Sequence, residues 1–259
     1  MRIATWNVNS VNARLPTVLA WVEAASPDVL CLQELKCVDE KFPREPFESL
    51  GYNVETHGQK TYNGVALLSK LPVSDLRRGL PGDPSDEQAR YIEAVIEGAR
   101  PVRVASIYLP NGNPIGTEKF AYKLAWFERL QRHAAELLAL EEALLLCGDY
   151  NVIPEPEDAR NPKAWTDDAL FQPESRAAWR ALKFQGFTDA HEAGNEPDGT
   201  YTFWDYQAGA WQRDHGIRID HVLMSAQAAD RFVGIETHRD ARDMEKPSDH
   251  VPVVVEIAD

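Results

Sequence analysis

The chain has 259 residues, of which 44% are hydrophobic and 26% charged. That balance belongs to an ordinary globular protein and excludes wholesale disorder. A net charge of −14 argues against a surface coated in positive charge for holding nucleic acid, so any grip on DNA must be local and assisted by cations. No apolar run approaches the roughly 18 residues that a membrane-spanning helix needs.

In chain order, Arg2–Asn7 reads as a strand, with no apolar segment of secretory length before it. Leu15, Val18, Leu19 and Val22 follow at helical spacing, with Pro16 near the helix start. Asp28–Gln33, Gly64–Ser69, Tyr91–Ile96 and Val102–Leu109 read as further strands. The loops Leu80–Gln88 and Asn111–Gly116 carry Pro, Gly and charge. Thr117–Leu140 places Phe120, Leu124, Phe127, Leu130 and Leu137 on one helical stripe. Leu144–Gly148 is a strand, Pro154–Thr166 a long loop, Glu174–Lys183 a helix ended near Gly186, and Glu192–Gly199 a loop. Ile219–Met224 and Val251–Ile257 are the last strands. Many of these strands are unbroken apolar runs, as expected when both faces are buried. No repeat or linker divides the chain, so residues 1–259 read as one domain.

The three cysteines, Cys31, Cys37 and Cys147, are odd in number and form no CxxC pair. Neither a disulfide framework nor a zinc–thiolate site is expected, and a reducing cytoplasm is the expected compartment. Cys31 and Cys147 lie in apolar strands and read as small core residues.

Chemistry-bearing residues collect at strand ends. Asn7 closes the first strand, Glu34 follows the second, Asp149 and Asn151 follow Leu144–Gly148, Asp220 follows Ile219, and Asp249 and His250 precede the last strand. Asp149 and Asn151, two apart, share one side of an extended chain. Singly, each is an ordinary turn former. Together they suit phosphodiester hydrolysis, which needs a cation to screen the phosphate, a group to orient or deprotonate water, and support for the leaving oxygen. Carboxylate and amide oxygens are hard ligands suited to Mg²⁺ or Mn²⁺. No GxxxxGK[ST], GxGxxG or GxSxG motif occurs, which removes support for triphosphate, dinucleotide and serine-hydrolase chemistry.

The segments Trp6-Asn7-Val8-Asn9, Leu32-Gln33-Glu34-Leu35-Lys36, Tyr62-Asn63-Gly64-Val65-Ala66, Tyr108-Leu109-Pro110-Asn111, Gly148-Asp149-Tyr150-Asn151, Arg218-Ile219-Asp220 and Ser248-Asp249-His250-Val251-Pro252 occur in that order. The set resembles the endonuclease/exonuclease/phosphatase superfamily, most closely its exonuclease III and abasic-site (AP) endonuclease branch. The resemblance implies a four-layered α/β sandwich, two mixed β-sheets face to face with helices outside. It implies Glu34 as the main Mg²⁺ ligand, supported by Asn7 and Asp249, with Asp149 and Asn151 also near the metal. Asp149 would position or deprotonate the attacking water, and Asn151 would hold that water or a phosphate oxygen. His250 would contact the scissile phosphate and Asp220 would orient it. Tyr108 would bond a phosphate oxygen or assist the leaving group, and Asn111, Lys36 and Arg90 would lie on the substrate side. Phe203 or Trp204, with Ile217 and Ile219, would form an apolar slot for a flipped baseless sugar. Leu35 and Tyr150 depart from the family's usual Thr and Phe or Met without removing a ligand. The implied partner is double-stranded DNA with abasic sites or 3′ ends, cleaved by a monomer. A relative acting on a soluble phosphate ester or RNA, and a non-catalytic binder, are the competing readings. The aromatic Tyr201–Trp204 segment favours DNA, and the net charge counts against it.

Overall fold

The computed structural model describes all 259 residues. Its elements run β1 (Arg2–Asn7), α1 (Leu15–Ala25), β2 (Val29–Gln33), α2 (Arg44–Ser49), β3 (Asn53–His57), β4 (Val65–Ser69), β5 (Val73–Arg78), β6 (Tyr91–Ile96), β7 (Val102–Tyr108), α3 (Glu118–Leu138), β8 (Leu144–Asp149), α4 (Pro173–Lys183), β9 (Thr188–Asp189), α5 (Ala190–Ala193), β10 (Asp220–Met224), α6 (Ala226–Ala229), β11 (Phe232–Thr237) and β12 (Val253–Ile257).

The strands form two six-stranded sheets, ordered β11-β12-β1-β2-β4-β3 and β5-β6-β7-β8-β10-β9. Each is mixed: β1–β2 and β7–β8 are parallel, and their other pairs are antiparallel. Period-two alternation sorts every apolar strand between two cores. Ile3, Val29, Cys31, Val65 and Leu67 of the first sheet meet Ala94, Val104, Leu145, Cys147 and Val222 of the second in a central core. The intervening residues Ala4, Trp6, Leu30, Leu32 and Leu68 face outward, against Val18, Trp21 and Val22 of α1. Likewise Ala105, Ile107, Leu144 and Leu146 pack against Trp126, Phe127 and Leu130 of α3 and Trp179 and Leu182 of α4. Helix, sheet, sheet and helix therefore make the expected four layers, and the unbroken apolar runs are strands buried on both faces.

Four strands lie outside the sequence expectation: β3, β5, β9 and β11. They are the four edges of the two sheets. An edge strand pairs on one side only and keeps solvent on much of its surface. β5 accordingly carries Ser74, Asp75, Arg77 and Arg78 with no buried position, and β11 likewise has none. The expected loop Pro154–Thr166 contains two short 3₁₀ turns, Pro156–Asp158 and Pro162–Trp165, and the expected loop at Glu192 begins inside α5.

Leu146 is fully buried in the outer core of the second sheet. Leu146→Ala is expected to cost about 2–5 kcal/mol, read as a lower denaturant midpoint at unchanged slope.

Candidate active site and metal-binding cluster

Five strand ends converge at one end of the sandwich. Asn7 closes β1 and pairs with Gln33, the last residue of β2. Tyr108 at the end of β7 pairs with Asp149 at the end of β8, and Asp149 pairs in turn with Asp220, the first residue of β10. Beneath them, buried polar side chains bridge the sheets. Gln33 Nε2 donates to Thr5 Oγ1 at 3.0 Å and to Ser106 Oγ at 2.9 Å. Ser106 Oγ donates to the Leu32 carbonyl at 3.1 Å. These bonds fix how one sheet sits on the other just below the site.

Above that bridge the Asn7 amide joins two carboxylates. Asn7 Nδ2 donates at 2.9 Å to Glu34 Oε1 and at 2.9 Å to Asp149 Oδ2. Glu34 holds a positive φ of 55°, as do Lys36 at 55° and Asn151 at 47°. A left-handed non-glycine residue is strained and persists only where its surroundings fix it. Here the Glu34 carbonyl accepts from Ser10 N at 2.7 Å and Lys36 N donates to the Asn63 carbonyl at 2.9 Å. Lys36 Nζ reaches back to Glu34 Oε2 at 2.8 Å.

Glu34, Asp149 and His250 bring ligand atoms within 4.8 Å of one another. The two carboxylates suit a hard divalent cation, whereas the Asn7 amide turns its NH2 to both of them and its Oδ1 to Asn9 N at 3.0 Å, so here it holds the carboxylates together. His250 is a poor ligand for such a cation. Its Nδ1 is 2.8 Å from Asp220 Oδ2, and its Nε2 lies 3.7 Å from Asp149 Oδ2. Burial alone would lower its pKa, but Asp220 and Asp149 outweigh burial and lift it to about 10. It is an imidazolium at neutral pH, with Nε2–H free to meet an anionic oxygen. For Asp149, burial is the largest influence and raises the pKa to about 7; Asp220 adds to it, while His250 and the bond from Asn7 oppose. Glu34 goes the other way: burial would raise it, but Lys36 and Asn7 bring it below its ordinary value. Burial holds the Tyr108 hydroxyl well above the ordinary tyrosine range, with Glu34 and Asp149 reinforcing it, so Tyr108 stays protonated and can donate.

Asn151 donates through its backbone N–H to Asp149 Oδ1 at 2.9 Å and through Nδ2 to the Leu109 carbonyl at 2.9 Å. Its Oδ1 accepts from Asn111 Nδ2 at 3.1 Å, so both amides stand beside Asp149. The Arg90 guanidinium lies 4.8 Å over the Tyr108 ring and donates to the Tyr108 carbonyl at 3.2 Å. Asp249 stands outside the three-residue cluster, its Oδ1 accepting from Asn9 Nδ2 at 3.1 Å. Phe203 and His250 lie edge to face at 5.0 Å, and Phe203 packs with buried Ile217 and Ile219 in a small apolar cluster. Trp204 is placed elsewhere. The residue after an extended Phe203 points to the opposite side, and its indole is fully buried in the first sheet's outer core with Nε1 on Asp214 Oδ1 at 3.0 Å.

Three residues take part without having been singled out from the sequence. Asn9 holds Asp249, Ser248 Oγ donates to the Asn7 carbonyl at 2.7 Å, and Thr202 Oγ1 accepts from Ile219 N and Asp220 N at 3.1 Å each. Asn9 and Ser248 lie inside the quoted motifs. Thr202 had no chemical signal and is recognisable only by its contacts.

Residues 4–250 match the Endonuclease/Exonuclease/phosphatase family. Exodeoxyribonuclease III of Haemophilus influenzae is 37% identical, over 99% of each chain. An AP endonuclease structure from Archaeoglobus fulgidus superposes with a TM-score of 0.93 at 37% identity, covering 99% of each chain. A 3′ phosphatase from Neisseria, solved with a product DNA hairpin, has a TM-score of 0.94 at 36% identity, again with 99% of each chain covered. The chain belongs to the endonuclease/exonuclease/phosphatase family, in its exonuclease III and AP endonuclease branch.

The raised Asp149 sets a pH test. A carboxyl whose folded pKa exceeds its unfolded value stabilises the fold while protonated, and that contribution is lost as pH rises toward about 7. Cation binding needs the ionised form. The rise in melting temperature on adding Mg²⁺ should therefore be larger at pH 8 than at pH 6, and Asp149→Asn should abolish that difference.

Proposed function

We propose that this chain is a Mg²⁺-dependent phosphodiesterase that incises double-stranded DNA 5′ to abasic sites and removes nucleotides from 3′ ends. It is a hydrolytic DNA repair nuclease of the exonuclease III type. The observation that carries the reading is the Asn7 amide bonded to both Glu34 and Asp149, beside a His250 imidazolium backed by Asp220.

Glu34, with Asp149, would hold the cation, and Asn7 would join them with its amide turned to present Oδ1, which now accepts from Asn9 N; Mn²⁺ has the same ligand preference and should substitute. Bound there, a divalent cation neutralises charge on the phosphate and lowers the barrier to attack by water. The remaining steps fall to the chain itself. His250 Nε2–H and the Asn111 and Asn151 amides bind phosphate oxygens, and Arg90 and Lys36 add positive charge close by. Asp149 orients the attacking water and takes its proton. Tyr108, held protonated, donates to a phosphate oxygen or to the leaving oxygen. Partly buried Phe203, edge to face with His250 and backed by the buried Ile217 and Ile219, is the apolar surface that would meet a flipped baseless sugar.

No helix is long and apolar enough to cross a membrane. The central core is shared by both sheets, which supports residues 1–259 acting as one domain. The net charge of −14 favours dependence on metal and sensitivity to salt over tight unspecific binding.

A duplex with one central abasic-site analogue, run beside an intact duplex with recessed 3′ ends, with Mg²⁺ or with EDTA, separates the activities. Metal-dependent incision at the lesion and stepwise loss from the 3′ ends are expected. Cleavage of neither by folded protein, with hydrolysis of a soluble phosphate ester, would replace DNA with another substrate. Asp149→Asn should lower kcat by at least about 100-fold, while Glu34→Ala should raise the Mg²⁺ needed for half activity.

A further inference from the structure

Lys123 is fully buried in the first half of α3, although it is an ionisable side chain and belongs to no motif. Its Nζ donates to the carbonyls of Asn111 at 3.0 Å, Asn151 at 2.5 Å and Ala169 at 3.4 Å. Three acceptors match the three N–H bonds of an ammonium. Burial draws the Lys123 pKa down to about 7, and Asp168 and Asp149 hold it from falling further.

The three carbonyls come from three separate segments. One follows β7, one follows β8, and one precedes α4. The first two carry Asn111 and Asn151, whose amides bond to each other at 3.1 Å. Two of the three segments, the one after β7 and the one before α4, are joined a second time by Asn113. Its Nδ2 donates to Asn111 Oδ1 at 2.9 Å and Asp168 Oδ1 at 3.0 Å, and its Oδ1 accepts from Ala169 N at 2.9 Å. Gly112 leaves room for the lysine stem. A Cβ there would stand 2.6 Å from Lys123 Cδ, and its φ is +89°.

We infer that Lys123 is a positioning residue for catalysis: its ammonium draws the three segments together and so sets where the Asn111 and Asn151 amides meet the scissile phosphate. A buried lysine is costly unless its bonds are complete, and a well-packed apolar residue of similar length would often serve stability equally well. A displacement near 1 Å of a substrate-holding group costs on the order of 100-fold in rate, so the lysine's gain lies in geometry. The inference rests on the proposed reading of Asn111 and Asn151 as phosphate-side groups.

Lys123→Met tests it in the full-length protein on the abasic duplex at saturating Mg²⁺. A loss in kcat of about 10- to 100-fold is expected, with KM within roughly threefold of the parent. Parental kcat per folded molecule, whatever the change in melting temperature, overturns the inference. Should Lys123→Met not fold, Lys123→Gln, whose side-chain NH2 can serve at most two of the three carbonyls, takes its place. It is expected to lower kcat several-fold at unchanged KM, and parental kcat there overturns the inference equally. Asn151→Ala, run in parallel, separates the two readings. If Asn151→Ala is impaired while Lys123→Met is not, only the positioning role fails. If Asn151→Ala has parental activity, the phosphate-side reading fails and takes the positioning role with it.

Discussion

The site depends on one hydrogen-bonded crossing between the two sheets. Asn7 belongs to β1 in the first sheet and Asp149 to β8 in the second, yet the Asn7 amide bonds Asp149 as closely as it bonds Glu34 of its own sheet. That contact exists only because the sheets are stacked in one register, and the register is held by the buried bonds of Gln33, Thr5 and Ser106 directly below. Sliding one sheet over the other by a residue, roughly 3.3 Å, would break the Asn7–Asp149 bond and part Glu34 from Asp149. The apolar core supplies most of the force that closes the sandwich. The polar bridge selects which closed arrangement is used.

The same stacking sets the electrostatics. Asp149, Asp220 and His250 are all buried, and at such short range burial and neighbouring charge act with little screening. Asp149 is pushed up by its burial, while His250 is kept charged by the two carboxylates flanking it. In the proposed mechanism a group close to its titration point would activate water, and a fixed cation would meet the anionic phosphate. Both properties come from depth and neighbours; residue type alone would give neither.

Much of this was legible in the sequence. Strands buried on both faces announce themselves as apolar runs, so β1, β2, β4, β6, β7, β8, β10 and β12 were readable to within a residue or two. The edges were not. β3, β5 and β9 each bond to one neighbour and keep a wet side, so polar residues mask them, while in β11 the strand formers Phe232, Val233, Ile235 and Thr237 are interrupted by Gly234 at a register shift. The ordered motifs likewise disclosed Glu34, Asp149, Asp220 and His250, because strand-end carboxylates followed by Asp-His form an unusual set. Trp204 shows the limit of that reading. Adjacent to Phe203 and equally aromatic, it lies in the core because alternation along an extended segment sends neighbours apart.

What the sequence determined by itself was the inventory: which strands are central, which polar groups sit at their ends, and the hard-ligand chemistry those groups share. Local periodicity and residue type encode these directly. What only the tertiary structure decided was adjacency across the two sheets, including the Asn7 bridge, the lifted pKa values of Asp149 and His250, and the use of Lys123 to gather three distant carbonyls. These depend on residues far apart in the chain meeting in a water-poor interior. No local pattern records such a meeting, because it is fixed by how the layers pack.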